Sequence, residues 1–161
     1  MSTIKVGDIL PSFSLPDENN QLIDVKNELV DHHLVIFFYP KDNTIGCTVE
    51  ASEFRDNYHK FKERKTKIYG ISSDSPESHA AFKKKCGIPY SLLSDKDQKV
   101  RGLFGIKPSL LGMLPGRVTY VIRKTGEISH IFDSQWRPEK HIGEAMTALS
   151  TIQLPMLWQT I

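Results

Sequence analysis

Cys47 is the residue best placed to do chemistry in this chain. It stands in Pro40-Lys41-Asp42-Asn43-Thr44-Ile45-Gly46-Cys47, with Pro40 and Thr44 upstream of it. A cysteine attacks as its thiolate, and an ordinary thiol is mostly protonated at neutral pH. The start of a helix changes that balance, because its unpaired N–H groups and its dipole favour an anion. A thiolate nucleophile has three further needs. They are a donor to fix its substrate, positive charge for the departing group, and partial exclusion of water. Thr44 offers a hydroxyl and a backbone N–H. Pro40 lacks an N–H and can wall a pocket. An arginine has to come from elsewhere in the chain. The competing reading is a small buried hydrophobe, the commonest fate of a free cysteine. The placement of Cys47 between a loop and a helix argues for the chemical role.

The flanking elements give Cys47 that placement. Residues 33–39, His-Leu-Val-Ile-Phe-Phe-Tyr, form an apolar run ended by Pro40, which predicts a strand buried on both faces. A helix is expected from about Gly46 to Lys65, with Val49, Phe54, Tyr58 and Phe61 as its stripe. The thiol then sits in the first turn of a helix at the C-terminal edge of a sheet, where α/β folds bind ligands. Upstream, residues 12–15 predict a short strand that can pair with residues 21–25. Downstream, residues 66–72 predict a second inner strand. Ser75-Pro76-Glu77 opens a helix that Gly87 and Pro89 end at Cys86. A short strand at 91–94 and a helix at 97–104 follow. A strand at 117–122, a turn at 124–126 and a returning strand at 128–132 make a hairpin. The last helix is expected over 138–149. Strands alternating with helices and closed by a hairpin predict an α/β fold around a mixed sheet. A thioredoxin-like core fits, though the pattern alone does not choose it over other small α/β folds.

The bulk numbers narrow the function. A chain of 161 residues suits one domain, here taken as residues 1–161 with an apolar tail from about 151. The net charge of +2, from 21 basic and 19 acidic residues, gives no electrostatic case for nucleic acid or an anionic membrane. Lys83-Lys84-Lys85 reads as a solvated helix face. Two cysteines cannot make a disulfide framework, and no Cys-x-x-Cys pair exists for a zinc ribbon or a thioredoxin-type motif. The six histidines show no metal spacing and are expected to be structural or on the surface. No signal peptide is visible in residues 1–10, and no apolar run approaches the roughly 20 residues that span a bilayer. The expected compartment is a reducing cytoplasm. Trp136 and the tail residues Leu154-Pro155-Met156-Leu157-Trp158 stand out as apolar, and the tail is expected to pack on the core or to contact another subunit.

The segment Phe37-Phe38-Tyr39-Pro40-Lys41-Asp42-Asn43-Thr44-Ile45-Gly46-Cys47-Thr48 resembles the active-site segment of peroxiredoxins. It is most similar to the PrxQ group, also called bacterioferritin comigratory protein. The likeness continues through Phe54-Arg55-Asp56, Leu92-Leu93-Ser94-Asp95 and residues 114–122, and ends near residues 138–142. The resemblance implies a thioredoxin-like fold and a thiol peroxidase with no bound cofactor and no metal. Its substrates would be hydrogen peroxide and organic hydroperoxides, and its electrons would come from thioredoxin or another thiol. It implies Cys47 as the peroxidatic cysteine and Thr44 as the hydrogen-bond donor to thiolate and peroxide. Pro40 would be the shield and Arg117 the positive charge near sulfur. Glu50, one turn after Cys47, would either orient Arg117 through an ion pair or stabilise the helix dipole. PrxQ-like proteins are often monomers and sometimes dimers.

The chain departs from that family where the sulfenic acid formed on Cys47 has to be reduced. Many PrxQ-like proteins carry a resolving cysteine five residues after the peroxidatic one. Here that position is Ser52. Cys86 is the other candidate, yet it lies about one turn beyond the place some relatives use, near Lys83. Two routes stay open, Cys86 within the chain or an external thiol. The missing cysteine also leaves room for a peroxide sensor that passes its oxidation to a partner without efficient turnover.

Overall fold

A computed structural model of the chain describes residues 3–107, 116–134 and 137–152. Trp136, the segment 108–115 and the apolar tail beyond Ile152 lie outside the described residues. A five-stranded sheet organises the rest, in the order β5-β4-β3-β6-β7. Its strands are β3 (His33–Phe38), β4 (Thr66–Ser72), β5 (Ser91–Ser94), β6 (Val118–Ile122) and β7 (Ile128–Asp133). β3 pairs in parallel with β4, and β4 with β5. β6 lies antiparallel to β3, and β7 antiparallel to β6. The sheet is therefore mixed and closed by a hairpin, as the alternating pattern predicts. A separate two-stranded ribbon joins β1 (Ser14–Pro16) to β2 (Leu22–Asp24).

The period of two along β3 divides the core. Leu34, Ile36 and Phe38 face one layer, together with Leu10, Phe13, Val25, Phe104 and Tyr120. Val35, Phe37 and Tyr39 face the other, with Cys47, Phe54, Phe61, Phe82 and Leu149. The second layer is built by α1 (Ile45–Asp56), α2 (Tyr58–Glu63), α3 (Pro76–Cys86) and α5 (Lys140–Ile152). The first is covered by the N-terminal segment, a 3-10 turn (Val25–Val30) that the sequence reading left out, and α4 (Lys99–Leu103).

Local signals mark α3 well. Ser75 caps it by accepting the Ser78 N–H at 3.1 Å, Pro76 opens its first turn, and Gly87 leaves it at φ 63°. The single helix expected over 46–65 is instead two helices that meet at Asn57. That residue leaves helical geometry at φ −105°, ψ 7°, and its side-chain amide donates to the Glu53 carbonyl at 2.9 Å. A short amide competing for the backbone is a local reason to end a helix. The expected stripe also shifts. Val49 is 39% exposed, and the buried positions of α1 are Cys47, Glu50, Ala51 and Phe54. The last helix starts at Lys140 rather than Pro138.

Candidate active site

β3 ends at Phe38, and the chain crosses the sheet edge through Tyr39 and Pro40 before α1 begins. Tyr39 still donates its N–H to Ile71 of β4 at 3.1 Å, so Pro40 leaves a fixed point. The loop is then held from below by Asp42. Its carboxylate accepts the Tyr39 hydroxyl at 2.6 Å and the Ser78 hydroxyl at 2.9 Å, and meets His79 Nδ1 at 2.8 Å. Its N–H donates to Asp74 at 2.8 Å. The first turn of α3 and the end of β4 therefore anchor the loop that precedes Cys47. Sequence reading missed this network because its members lie up to 40 residues apart. Asp42, Asp74 and His79 do bring ligand atoms within 4.8 Å of one another. Each is already engaged, the Asp74 carboxylate by Ser72 and His79 Nε2 by the Leu93 carbonyl.

Thr44 is the N-cap residue of α1, in extended conformation, and Cys47 is the third helical residue. The sulfur is therefore in the first turn. It is 1% exposed, as covered as a packing cysteine would be. What separates it from one is a buried cation in contact. Arg117, 3% exposed, donates from Nη2 to Cys47 Sγ at 3.1 Å. Its Nη1 donates to Glu50 Oε2 at 2.9 Å. Arg117 stands immediately before β6, and β6 pairs with β3 so that Val118 lies opposite Phe38. That register carries a residue 70 positions away to the mouth of the Cys47 loop. Gly46 leaves the room, because a Cβ there would stand 3.1 Å from Arg117 Nη2.

The Glu50 carboxyl lies against the Arg117 guanidinium rather than along the exposed first turn. It is fully buried, and burial pushes its pKa up to about 8 against the pull of Arg117. Among the described residues, its second oxygen, Oε1, has no hydrogen-bond partner. Burial works against the charge on Arg117, but Glu50 and the Cys47 sulfur outweigh it and hold the guanidinium protonated. Behind Glu50 lies His141, whose Nε2 is 3.9 Å from Glu50 Oε2. Nδ1 meets the Thr119 hydroxyl at 2.7 Å and Nε2 meets the Ser134 carbonyl at 2.9 Å. Burial lowers its pKa to about 4, so a neutral imidazole backs the carboxyl.

Thr44, Pro40 and Cys86 complete the set of sequence candidates, and only Thr44 has a partner other than the expected one. The Thr44 hydroxyl donates to the Lys41 carbonyl at 2.9 Å, closing its own turn, rather than to the Cys47 sulfur. Pro40 is half-buried at the edge of the site. Cys86 ends α3, half-buried against the same apolar cluster as Cys47, and both thiols are free. Its carbonyl accepts from Arg55 Nη1 at 2.5 Å, which ties the end of α3 to α1.

Residues 6–131 match the AhpC/TSA family. The chain belongs to that family. Within it, the chain groups with peroxiredoxin Q. It is 42% identical over 149 residues to chloroplastic peroxiredoxin Q of Oryza sativa subsp. japonica, covering 92% of this chain and 68% of that protein. Peroxidoxin BcpB of Mycobacterium tuberculosis superposes with a TM-score of 0.86 at 35% identity, covering 94% of this chain and 99% of that one. The bacterioferritin comigratory protein of Xanthomonas campestris, described for its alkyl peroxide reduction activity, superposes with a TM-score of 0.80 at 28% identity. There the cover is 90% of this chain and 99% of that one. This peroxiredoxin has the thioredoxin-like fold of those neighbours, and it is a thiol peroxidase that consumes peroxide at the expense of a thiol reductant.

Proposed function

We propose that Cys47 is the peroxidatic thiol and that Arg117 is the cation that makes its reaction fast. The observation that carries this is the 3.1 Å contact between a buried guanidinium and the sulfur of a first-turn cysteine. The Cys47 thiolate attacks one peroxide oxygen. An S–O bond forms, the O–O bond breaks, and the electron pair leaves on the second oxygen as hydroxide or alkoxide, which takes up a proton. Sulfur is oxidised to sulfenic acid and the peroxide is reduced to water or alcohol. Arg117 faces the charge that develops on the leaving oxygen. Glu50 holds the guanidinium from the other side. Pro40 limits water at the sulfur. Thr44 serves as donor to the peroxide after its hydroxyl turns away from Lys41.

Resolution we assign to an external thiol. Ser52 cannot form a disulfide, and Cys86 is held at the end of α3 by Arg55. A donor thiolate attacks the sulfenic sulfur and expels water. A second thiol of the donor then releases Cys47 and leaves as the donor disulfide. Thioredoxin, hydrogen peroxide and small organic hydroperoxides are the reductant and substrates proposed. Two free thiols suit a reducing compartment such as the cytoplasm.

The test is mass spectrometry after one equivalent of peroxide, paired with steady-state consumption in the presence of thioredoxin and its reductase. Sulfenic acid on Cys47, turnover with thioredoxin, and loss of both in Cys47→Ser are expected. A Cys47–Cys86 disulfide would replace external resolution by the internal route. Stoichiometric oxidation without turnover by any thiol would replace turnover with sensing.

A further inference from the structure

Arg101 has no part in the peroxide chemistry of Cys47 and Arg117, yet it is only 6% exposed. It sits in α4, the helix of the opposite layer, with its guanidinium 5.5 Å from the Phe38 ring centroid. Two backbone carbonyls take its protons. Nη2 donates to Tyr39 O at 3.0 Å and Nη1 donates to Gly116 O at 2.6 Å. Tyr39 is the residue before Pro40, and Gly116 is the residue before Arg117. One planar fork therefore joins the peptide that leads into the Cys47 loop to the peptide that leads into the cation. α4 is fixed in turn, because Asp95 accepts the N–H groups of Val100 at 3.1 Å and Arg101 at 2.9 Å. Among the described residues no carboxylate forms an ion pair with the Arg101 guanidinium. Burial lowers its pKa to about 10, and the charges that oppose this come from Asp95, Tyr120 and Cys47.

We propose that Arg101 is a positioning residue for the peroxidase reaction: it clamps the Tyr39–Pro40 and Gly116–Arg117 peptides together, and so holds the Arg117 guanidinium on the Cys47 sulfur. The inference rests on the assignment of Cys47 and Arg117 above. The physical requirement is a rigid pair of donors at fixed separation, which guanidinium supplies and ammonium does not. Misplacing a reacting group by about 1 Å costs up to about a hundredfold in rate, so a clamp on both segments matters without touching peroxide.

The experiment compares full-length wild type, Arg101→Lys, Arg101→Met and Arg117→Lys. Stopped-flow gives the second-order rate of Cys47 oxidation by hydrogen peroxide. Peptide-resolved mass spectrometry gives the rate of Cys47 alkylation by iodoacetamide at pH 7. Alkylation needs the thiolate but not the alignment of Arg117 with a leaving oxygen. Arg101→Lys keeps the charge and loses the fork. It is expected to oxidise about tenfold more slowly, with alkylation within about twofold of wild type. Arg101→Met is expected to lose about a hundredfold in oxidation, and alkylation also slows as the charge goes. If that variant does not fold, Arg101→Lys carries the test. Wild-type oxidation in Arg101→Lys, or equal losses in oxidation and alkylation, overturns the clamp. An unaffected Arg117→Lys enzyme would overturn the underlying site instead.

Discussion

Cys47, Glu50 and Arg117 put two acids against one base in a space almost closed to water. With Glu50 titrating near pH 8, most molecules at neutral pH hold the proton on the carboxyl and leave the guanidinium charge to sulfur. Above pH 8 the carboxylate forms and competes for Arg117. The rate of Cys47 oxidation should therefore decline along an alkaline limb centred near pH 8. Glu50→Gln should abolish that limb while leaving the neutral rate within about an order of magnitude. Stopped-flow between pH 6 and 9.5 reads both, and an identical limb in the variant would show that Glu50 does not titrate in the working range. Arg117→Met should lower the oxidation rate by about 10²–10³, the usual cost of removing a donor aimed at a developing oxyanion. Thr44 calls for a different comparison, since its hydroxyl is spent on Lys41 at rest. Thr44→Ser should keep peroxide reactivity and Thr44→Val should lose about tenfold or more. Equal rates in the two variants would remove the hydroxyl from the reaction.

At the scale of elements, the site depends on how closely β3, β4 and α1 can approach. Gly70 in β4 lies opposite Phe37 of β3, and a Cβ there would stand 2.7 Å from Phe37 Cζ and 2.8 Å from Leu92 Cδ2. Phe37 in turn stacks on Phe54 of α1, with centroids 4.7 Å apart. Gly70→Ala should therefore push on the helix that carries Cys47. The expected loss of stability is about 1–3 kcal/mol, the range for an overpacked core, read by urea unfolding. An unchanged midpoint would mean that the aromatic stack yields freely. Helix ends tell a similar story. Asn57 stops α1 one residue past Asp56, which leaves the site's helix twelve residues long and lets α2 turn separately onto the core.

For the whole molecule, two buried groups behind the site make stability depend on pH in opposite senses. The Glu50 pKa is raised from 4.5 to about 8, so the native state binds the extra proton and stability is lost as pH rises through that window. The His141 pKa is lowered from 6.5 to about 4, so the unfolded state binds the extra proton and stability is lost as pH falls through that window. The two trends oppose each other between pH 4.5 and 6.5. From 6.5 to 8 the Glu50 trend acts alone of the two. Thermal unfolding should show a midpoint that falls between those pH values in wild type and stays nearly level in Glu50→Gln. A parallel fall in the variant would assign the slope to other groups.

The chain's local chemistry determined much of this by itself. The bounds of α3 follow from Ser75, Pro76 and Gly87, and the apolar run at 33–39 made β3 a buried strand. The order Pro40, Thr44, Cys47 placed a thiol in a first turn, and the resemblance of residues 37–48 to peroxiredoxins implied a peroxidase. These are short-range facts, written within one turn or one strand. Tertiary structure decided the rest. The β3–β6 register brings Arg117 to Cys47, and helix packing puts Asp42 on His79. The fold also turns Arg101, one basic residue of a short helix in the sequence, into a bridge between two peptides. Burial decided that Glu50 faces the guanidinium rather than solvent. Pairings across 37, 67 and 70 residues leave no periodic trace, because sheet register and layer packing set them rather than neighbouring side chains.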